Sequence, residues 1–82
     1  MDKERIEQQL KDFLLEEGWL ENEEEFKTET DFRKDLEFTN REIAEMFFML
    51  ETEFDILTTT DDERQVRTIG VLVEMIARKK SL

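Results

Sequence analysis

Thr39, Asn40 and Arg41 stand together where a long polar stretch gives way to helix-forming sequence, and Glu42 follows directly. A hydroxyl, an amide and a guanidinium are thereby gathered at a helix start, where exposed amides and the macrodipole favour a bound or attached anion. Asn40 carries an amide, which cannot act as a nucleophile. Thr39 carries a hydroxyl, but Thr39 and Glu42 have the Thr-x-x-Glu spacing of a capping box. In that motif the hydroxyl accepts from the third helical amide and the carboxylate from the cap amide. Thr39 is therefore the better N-cap, although Asn40 is also of a capping type. The only serine is Ser81, in the basic tail and away from this helix.

The remaining inventory narrows the chemistry further. The chain has no histidine, cysteine or tyrosine, which removes the usual general bases, thiol nucleophiles and soft metal ligands. Enzymatic activity is not expected, no catalytic residue is assigned, and no metal site is foreseen. An EF-hand is excluded as well, since no loop places acidic ligands at alternate positions with Gly at the sixth and Glu at the twelfth. Without cysteines there is no disulfide framework. Neither an apolar N-terminal h-region nor an apolar run of about 18 residues is present, so neither a signal peptide nor a membrane span is expected. A cytoplasmic location is the default expectation.

The elements that must position Asn40 read as helices throughout. Proline is absent, glycine occurs only at Gly18 and Gly70, and no period-2 alternation is sustained, so the fold class is all-α without a sheet. Eighty-two residues suffice for one domain, spanning 1–82, with one modest core. The spacing of Ile6, Leu10, Phe13 and Leu14 predicts a first helix over about 2–17, with Gly18 supplying the left-handed residue after its end. Residues 19–38 read as a long loop pinned by Trp19, Leu20, Phe26, Phe32 and Leu36. A second helix is expected over 40–54, with Ile43, Phe47, Leu50 and Phe54 buried, helped by Met46. Phe48 falls about 100° round from Phe47, off that stripe. Thr58 to Glu63 read as a turn, capped by Thr60 or Asp61, into a short third helix over 61–65. A last helix over 69–79 starts from Thr68 and buries Ile69, Leu72, Val73 and Ile76. Arg78, Lys79 and Lys80 close it, where cations suit the negative end of the dipole.

Charge is the strongest statement about partners. The net charge is −11, and it is unevenly spread: residues 1–63 hold 22 acids and 7 bases, residues 64–82 hold 1 acid and 5 bases. An acidic body repels nucleic-acid phosphates and attracts basic protein surfaces. Nucleic-acid binding is not expected. A nucleic-acid mimic fits the acid excess but has no positional support, and the bland alternative is that the acids only keep a small helical domain soluble.

One stretch goes beyond composition. Asp35 to Ile56, DLEFTNREIAEMFFMLETEFDI, resembles the acyl carrier protein family, whose Asp-Leu-Gly-x-Asp-Ser-Leu run leads into a helix reading (D/E)-x-x-E-L-x-x-x-L-E-x-x-F. Asp35, Leu36, Glu42, Glu45, Leu50, Glu51, Glu53 and Phe54 match in register. Thr30-Asp31-Phe32 with Asp35-Leu36 is similar to the family's loop segment, and Val66-Arg67-Thr68-Ile69 to the start of its last helix. The resemblance spans roughly Leu20 to Ile76, and the first helix matches only in pattern. It implies a four-helix bundle with a long first loop and a short third helix.

The resemblance also locates what is missing. The family serine, which carries a 4'-phosphopantetheine arm, is replaced by Asn40, and the leucine after it by Arg41. The implied function is a carrier-like domain that has lost its attachment site, expects no cofactor, and acts as a protein-binding or regulatory module in fatty-acid, polyketide or lipid biosynthesis. The alternative is a working carrier modified at an unorthodox residue such as Thr39. Arg41, Glu42, Glu45, Phe48 and Glu51 follow the family's docking face, so a basic surface of a synthase or transferase is the implied partner. A monomer is expected. The competing view of this face is a solvated helix side with one exposed apolar residue, which is common on any protein.

Overall fold

Helix α1 spans Lys3–Glu16, and Asp2 starts it by accepting a 2.9 Å hydrogen bond from the Arg5 amide. Ile6, Leu10, Phe13 and Leu14 are buried along one face, as the 3.6-residue period requires. Gly18, at φ 81°, ends the helix, and the Trp19 amide turns back to the Leu14 carbonyl at 2.8 Å. In the computed structural model residues 2–81 are described, so Met1 and Leu82, the two ends of the 1–82 span, lie outside the described residues. Among the described residues the chain forms four α-helices and no strand, with α2 over Asn40–Phe54, α3 over Thr60–Gln65 and α4 over Ile69–Lys80.

The buried stripes of α1, α2 and α4 meet in one hydrophobic core. Ile43, Met46, Phe47, Leu50 and Phe54 come from α2, and Ile69, Leu72, Val73, Met75 and Ile76 from α4. Full burial of a Leu, Ile or Phe is worth about 1.5–3 kcal/mol over leaving it exposed. These stripes therefore outweigh the weak intrinsic preference of the short helices. α3 contributes no buried residue and holds its place by other means.

The long first loop is better ordered than its composition predicts. A short 3-10 turn occupies Glu23–Glu25, and the loop is stitched to the start of α4. The first amides of any helix lack internal partners. Here the Thr30 carbonyl accepts from the Ile69 amide at 3.0 Å and the Thr28 carbonyl from the Gly70 amide at 2.9 Å. The Phe32 amide donates to the Arg67 carbonyl at 2.9 Å, and Asp31 pairs with Thr68 in an isolated antiparallel bridge. Leu20 and Phe32 are the fully buried anchors, whereas Trp19, Phe26 and Leu36 only pack against the core edge.

The turn into α3 departs from the sequence reading. Thr59, not Thr60 or Asp61, is the N-cap, and the helix begins at Thr60. Thr59 and Asp62 form the reciprocal capping box, with the Thr59 amide donating to the Asp62 carboxylate at 2.9 Å. This register also brings Asp62 to Lys79, 3.0 Å away and largely shielded from solvent. Lys80 donates at 2.9 Å to the Phe54 carbonyl, one of the acceptors that the end of α2 leaves unpaired. The basic end of α4 thus ties down the ends of two other helices as well as matching its own dipole.

Candidate functional site

The Asp31 to Thr39 segment determines how α2 starts. Asp31 accepts from the amides of Lys34 and Arg33, each at 2.8 Å, while the Asp35 carboxylate accepts from the Asp31 amide at 2.8 Å. The Lys34 amide is the main reason that the Asp31 carboxyl titrates below its ordinary value; burial opposes it and the Arg33 amide adds to it. The chain then reverses through Glu37, at φ 57°, a left-handed conformation that costs a residue with a Cβ about 1–2 kcal/mol. Phe38 follows, its amide bonded to the Phe32 carbonyl at 2.9 Å, and its ring packs 5.8 Å from Phe32 and 5.5 Å from Trp19. The Trp19 indole N–H is buried beside this cluster without a hydrogen-bond partner.

On this aromatic base sit Thr39, Asn40 and Arg41. Thr39 is the N-cap: its hydroxyl accepts from the Glu42 amide at 3.1 Å, and its own amide donates to the Glu42 carboxylate at 2.8 Å. Asn40 is the first residue of α2 and is exposed, and its side-chain carbonyl accepts from the Arg33 guanidinium. Arg41 projects into solvent and pairs with Glu45 at 3.3 Å, one turn on. An exposed pair of this kind adds only about 0.3–0.5 kcal/mol. No side chain at this helix start combines an unused hydroxyl with the first helical position.

The outward face of α2 is narrower than the spacing predicts. Arg41, Glu45 and Phe48 face solvent, and Phe48 is 74% exposed beside Ala44 and Met49. Glu42 and Glu51 are half-buried, and both carboxylates already have partners. Glu42 closes the capping box. Glu51 accepts from the Thr58 amide at 2.7 Å and from its hydroxyl at 3.0 Å, drawing the 55–59 turn back onto α2.

Several features of this region lie outside the sequence reading. Leu57 is 83% exposed while its neighbour Ile56 is buried, because Asp55 takes a left-handed φ of 54° and Glu51 holds the next turn. The Ile56-Leu57 pair signals one inward and one outward residue, but only the backbone decides which. The contact of Arg33 with Asn40 crosses a loop reversal that periodicity does not detect. Among the described residues no group of three or more His, Cys, Asp or Glu is placed to hold a metal ion, and no helix is long and apolar enough to cross a membrane. No family model matches the chain.

Proposed function

We propose that the protein is an acyl-carrier-protein-like domain that has lost its phosphopantetheine attachment residue. In this reading it serves as a binding or regulatory module for a basic surface on a synthase or transferase of fatty-acid, polyketide or lipid biosynthesis. The observation that carries the reading is Asn40. It is the exposed first residue of the longest helix, the position that corresponds to the family serine, and its side chain has no nucleophile. Thr39, the nearest hydroxyl, already serves as the helix cap.

Two further features support a carrier-like scaffold. Glu37 adopts a left-handed backbone at the position where the family run has glycine, the residue best suited to that conformation. A long first loop and a short third helix are the features that the resemblance implies for the architecture. The exposed Arg41, Glu45 and Phe48 supply the docking face, with Arg41 paired to the one carboxylate among them. Incubation with coenzyme A and a broad-specificity phosphopantetheinyl transferase, followed by intact-mass measurement, tests the loss of function. An unchanged mass is expected. An adduct mapped to Thr39 would instead make the protein a working carrier modified at that residue.

A further inference from the structure

Between the start of α1, the first loop and the start of α4 lies a hollow of about 510 Å³, within the range of about 300–1,000 Å³ typical of small-molecule sites. The bond from the Gly70 amide to the Thr28 carbonyl at 2.9 Å holds the loop against α4, and Ile69, Gly70 and Val73 form the α4 wall. Phe26 forms the loop side, half-buried at the edge of the core. A second hollow of about 260 Å³ runs along α1, and Phe26, Glu4 and Glu7 line both. An aromatic ring and two carboxylates are thus the wall that the two hollows share. The charges around that wall are unevenly matched. Lys3 pairs with Glu74, bridging α1 to α4, and Lys11 pairs with Glu23 at 3.3 Å. Lys27 lies at the rim and also lines an acidic hollow with Glu24, Glu25, Glu29 and Asp35. Glu4 and Glu7 have no ion-pair partner among the described residues, and Glu7 is half-buried. A carboxylate drawn out of water is costly without a partner, so the wall calls for a cation.

We propose that this hollow binds a free primary aliphatic amine, its ammonium group held by Glu4 and Glu7 beside the Phe26 ring and its hydrocarbon chain laid along Ile69, Gly70 and Val73. The inference goes beyond the docking function proposed above and does not depend on it. An ammonium donates charge-assisted hydrogen bonds to carboxylates, about twice as strong as neutral ones. The face of an aromatic ring attracts the same cation, and the chain gains by leaving water for the apolar wall. An anionic ligand meets Glu4, Glu7 and Glu74 in the hollow and a net charge of −11 on the whole chain. A neutral alcohol fills the apolar wall but leaves both carboxylates without a cation. A lysine of another protein offers the same ammonium on a bulky backbone, which has to pass the Lys3–Glu74 bridge between the two helices. A slender free amine meets no such obstacle.

The test titrates the full chain, labelled with nitrogen-15, with hexylammonium chloride at about 0.15 M salt and follows amide shifts by NMR. Saturable shifts should appear at Phe26, Thr28, Gly70 and Val73, with a Kd of about 1 mM or tighter, a modest demand on so small a ligand. Hexanol and hexanoate should bind at least about tenfold more weakly. Glu7→Gln should weaken hexylammonium binding about threefold or more. Phe26→Leu, which keeps apolar bulk and removes the ring, should weaken it about twofold to fivefold. Glu45→Gln, an exposed acid on α2 outside the hollow, should change nothing. The amide spectra also show whether each variant is folded, and if Phe26→Leu is not, Glu7→Gln decides alone. Equal affinity in Glu7→Gln would reduce the effect to general attraction by an acidic surface and overturn the proposal. Equal binding of hexanol would leave an apolar hollow without an ammonium site. Tighter binding of Nα-acetyl-lysine methylamide would assign the site to a lysine of a protein partner and overturn the free amine.

Discussion

Replacing Gly70 by Ala separates two physical effects of opposite sign. Gly70 is the second residue of α4, and in an isolated helix Gly→Ala stabilises by up to about 1 kcal/mol. In this fold the loop lies directly on it. A Cβ at position 70 would overlap the Thr28 Cγ2 and stand 2.9 Å from the Thr28 carbonyl oxygen, the same oxygen that accepts from the Gly70 amide. The methyl group could be moved, but the carbonyl belongs to the loop backbone and is held by its own bond. Overpacking of this kind costs about 1–3 kcal/mol, and a weakened hydrogen bond about 0.5–1.5 kcal/mol. After the helical gain is subtracted, Gly70→Ala should destabilise by about 1–3 kcal/mol, which lowers Tm by several degrees in a domain of this size. Urea unfolding followed by Trp19 fluorescence and far-ultraviolet circular dichroism measures it. Adding Thr28→Ala should restore only part of the loss, because it removes Cγ2 and leaves the carbonyl. A raised midpoint for Gly70→Ala would refute the close approach of the first loop to α4, and with it the way the loop positions Asn40.

Three other outcomes follow from the same contacts. Phe54, 2% exposed, should cost about 3–5 kcal/mol on truncation to Ala in the same unfolding assay; a near-neutral result would mean that the buried stripe of α2 is rotated. Glu37→Gly should stabilise by about 0.5–1 kcal/mol, since relief of the left-handed backbone exceeds the added freedom of the unfolded chain, and a lower unfolding midpoint would contradict it. Burial works against the charge on Asp62, but the Lys79 ammonium and the Thr59 amide outweigh it, so its carboxyl titrates below the ordinary value. Because the folded-state value is depressed, the stabilisation is complete above the unfolded value of about 3.9 and is lost as pH falls through the folded value. Asp62→Asn should therefore be less stable than the parent at neutral pH and show a flatter loss on acidification, and equal slopes in urea midpoints from neutral to acid pH would remove the pair from the account.

Much of this architecture is legible in the residues because it rests on local periodicity. Ile6, Leu10, Phe13 and Leu14 lie on one face by spacing alone, and the Thr39/Glu42 box marks the start of α2. The cap of α3 is less legible, since Thr59 with Asp62 and Thr60 with Glu63 both satisfy the box spacing one residue apart. The choice falls to Asp62 because that register lets it reach Lys79, a contact set by tertiary packing. Glu51 falls on the outward side by spacing, yet the turn that folds back to it is invisible to a helical pattern. Leu57 is missed for the same reason. The order within the first loop depends on carbonyls of Thr28 and Thr30 meeting the unpaired amides of α4, and main-chain partners leave no signature in side-chain sequence. Asn40 at the helix start is readable at once, because both its chemistry and its position are local.

The most direct test of a carrier scaffold without its arm compares the unsubstituted chain with a variant carrying Asn40→Ser, Arg41→Leu and Thr39→Asp. Serine there supplies the hydroxyl, leucine the apolar contact for the transferase, and aspartate keeps a capping side chain before the helix. Both proteins are incubated with coenzyme A and a broad-specificity phosphopantetheinyl transferase and measured by intact-mass spectrometry, with circular dichroism confirming that each is folded. One phosphopantetheine adduct is expected on the variant, mapped to position 40, and none on the unsubstituted chain. A folded variant that stays unmodified, or an unsubstituted chain that takes the arm, would contradict the proposed loss of the attachment site.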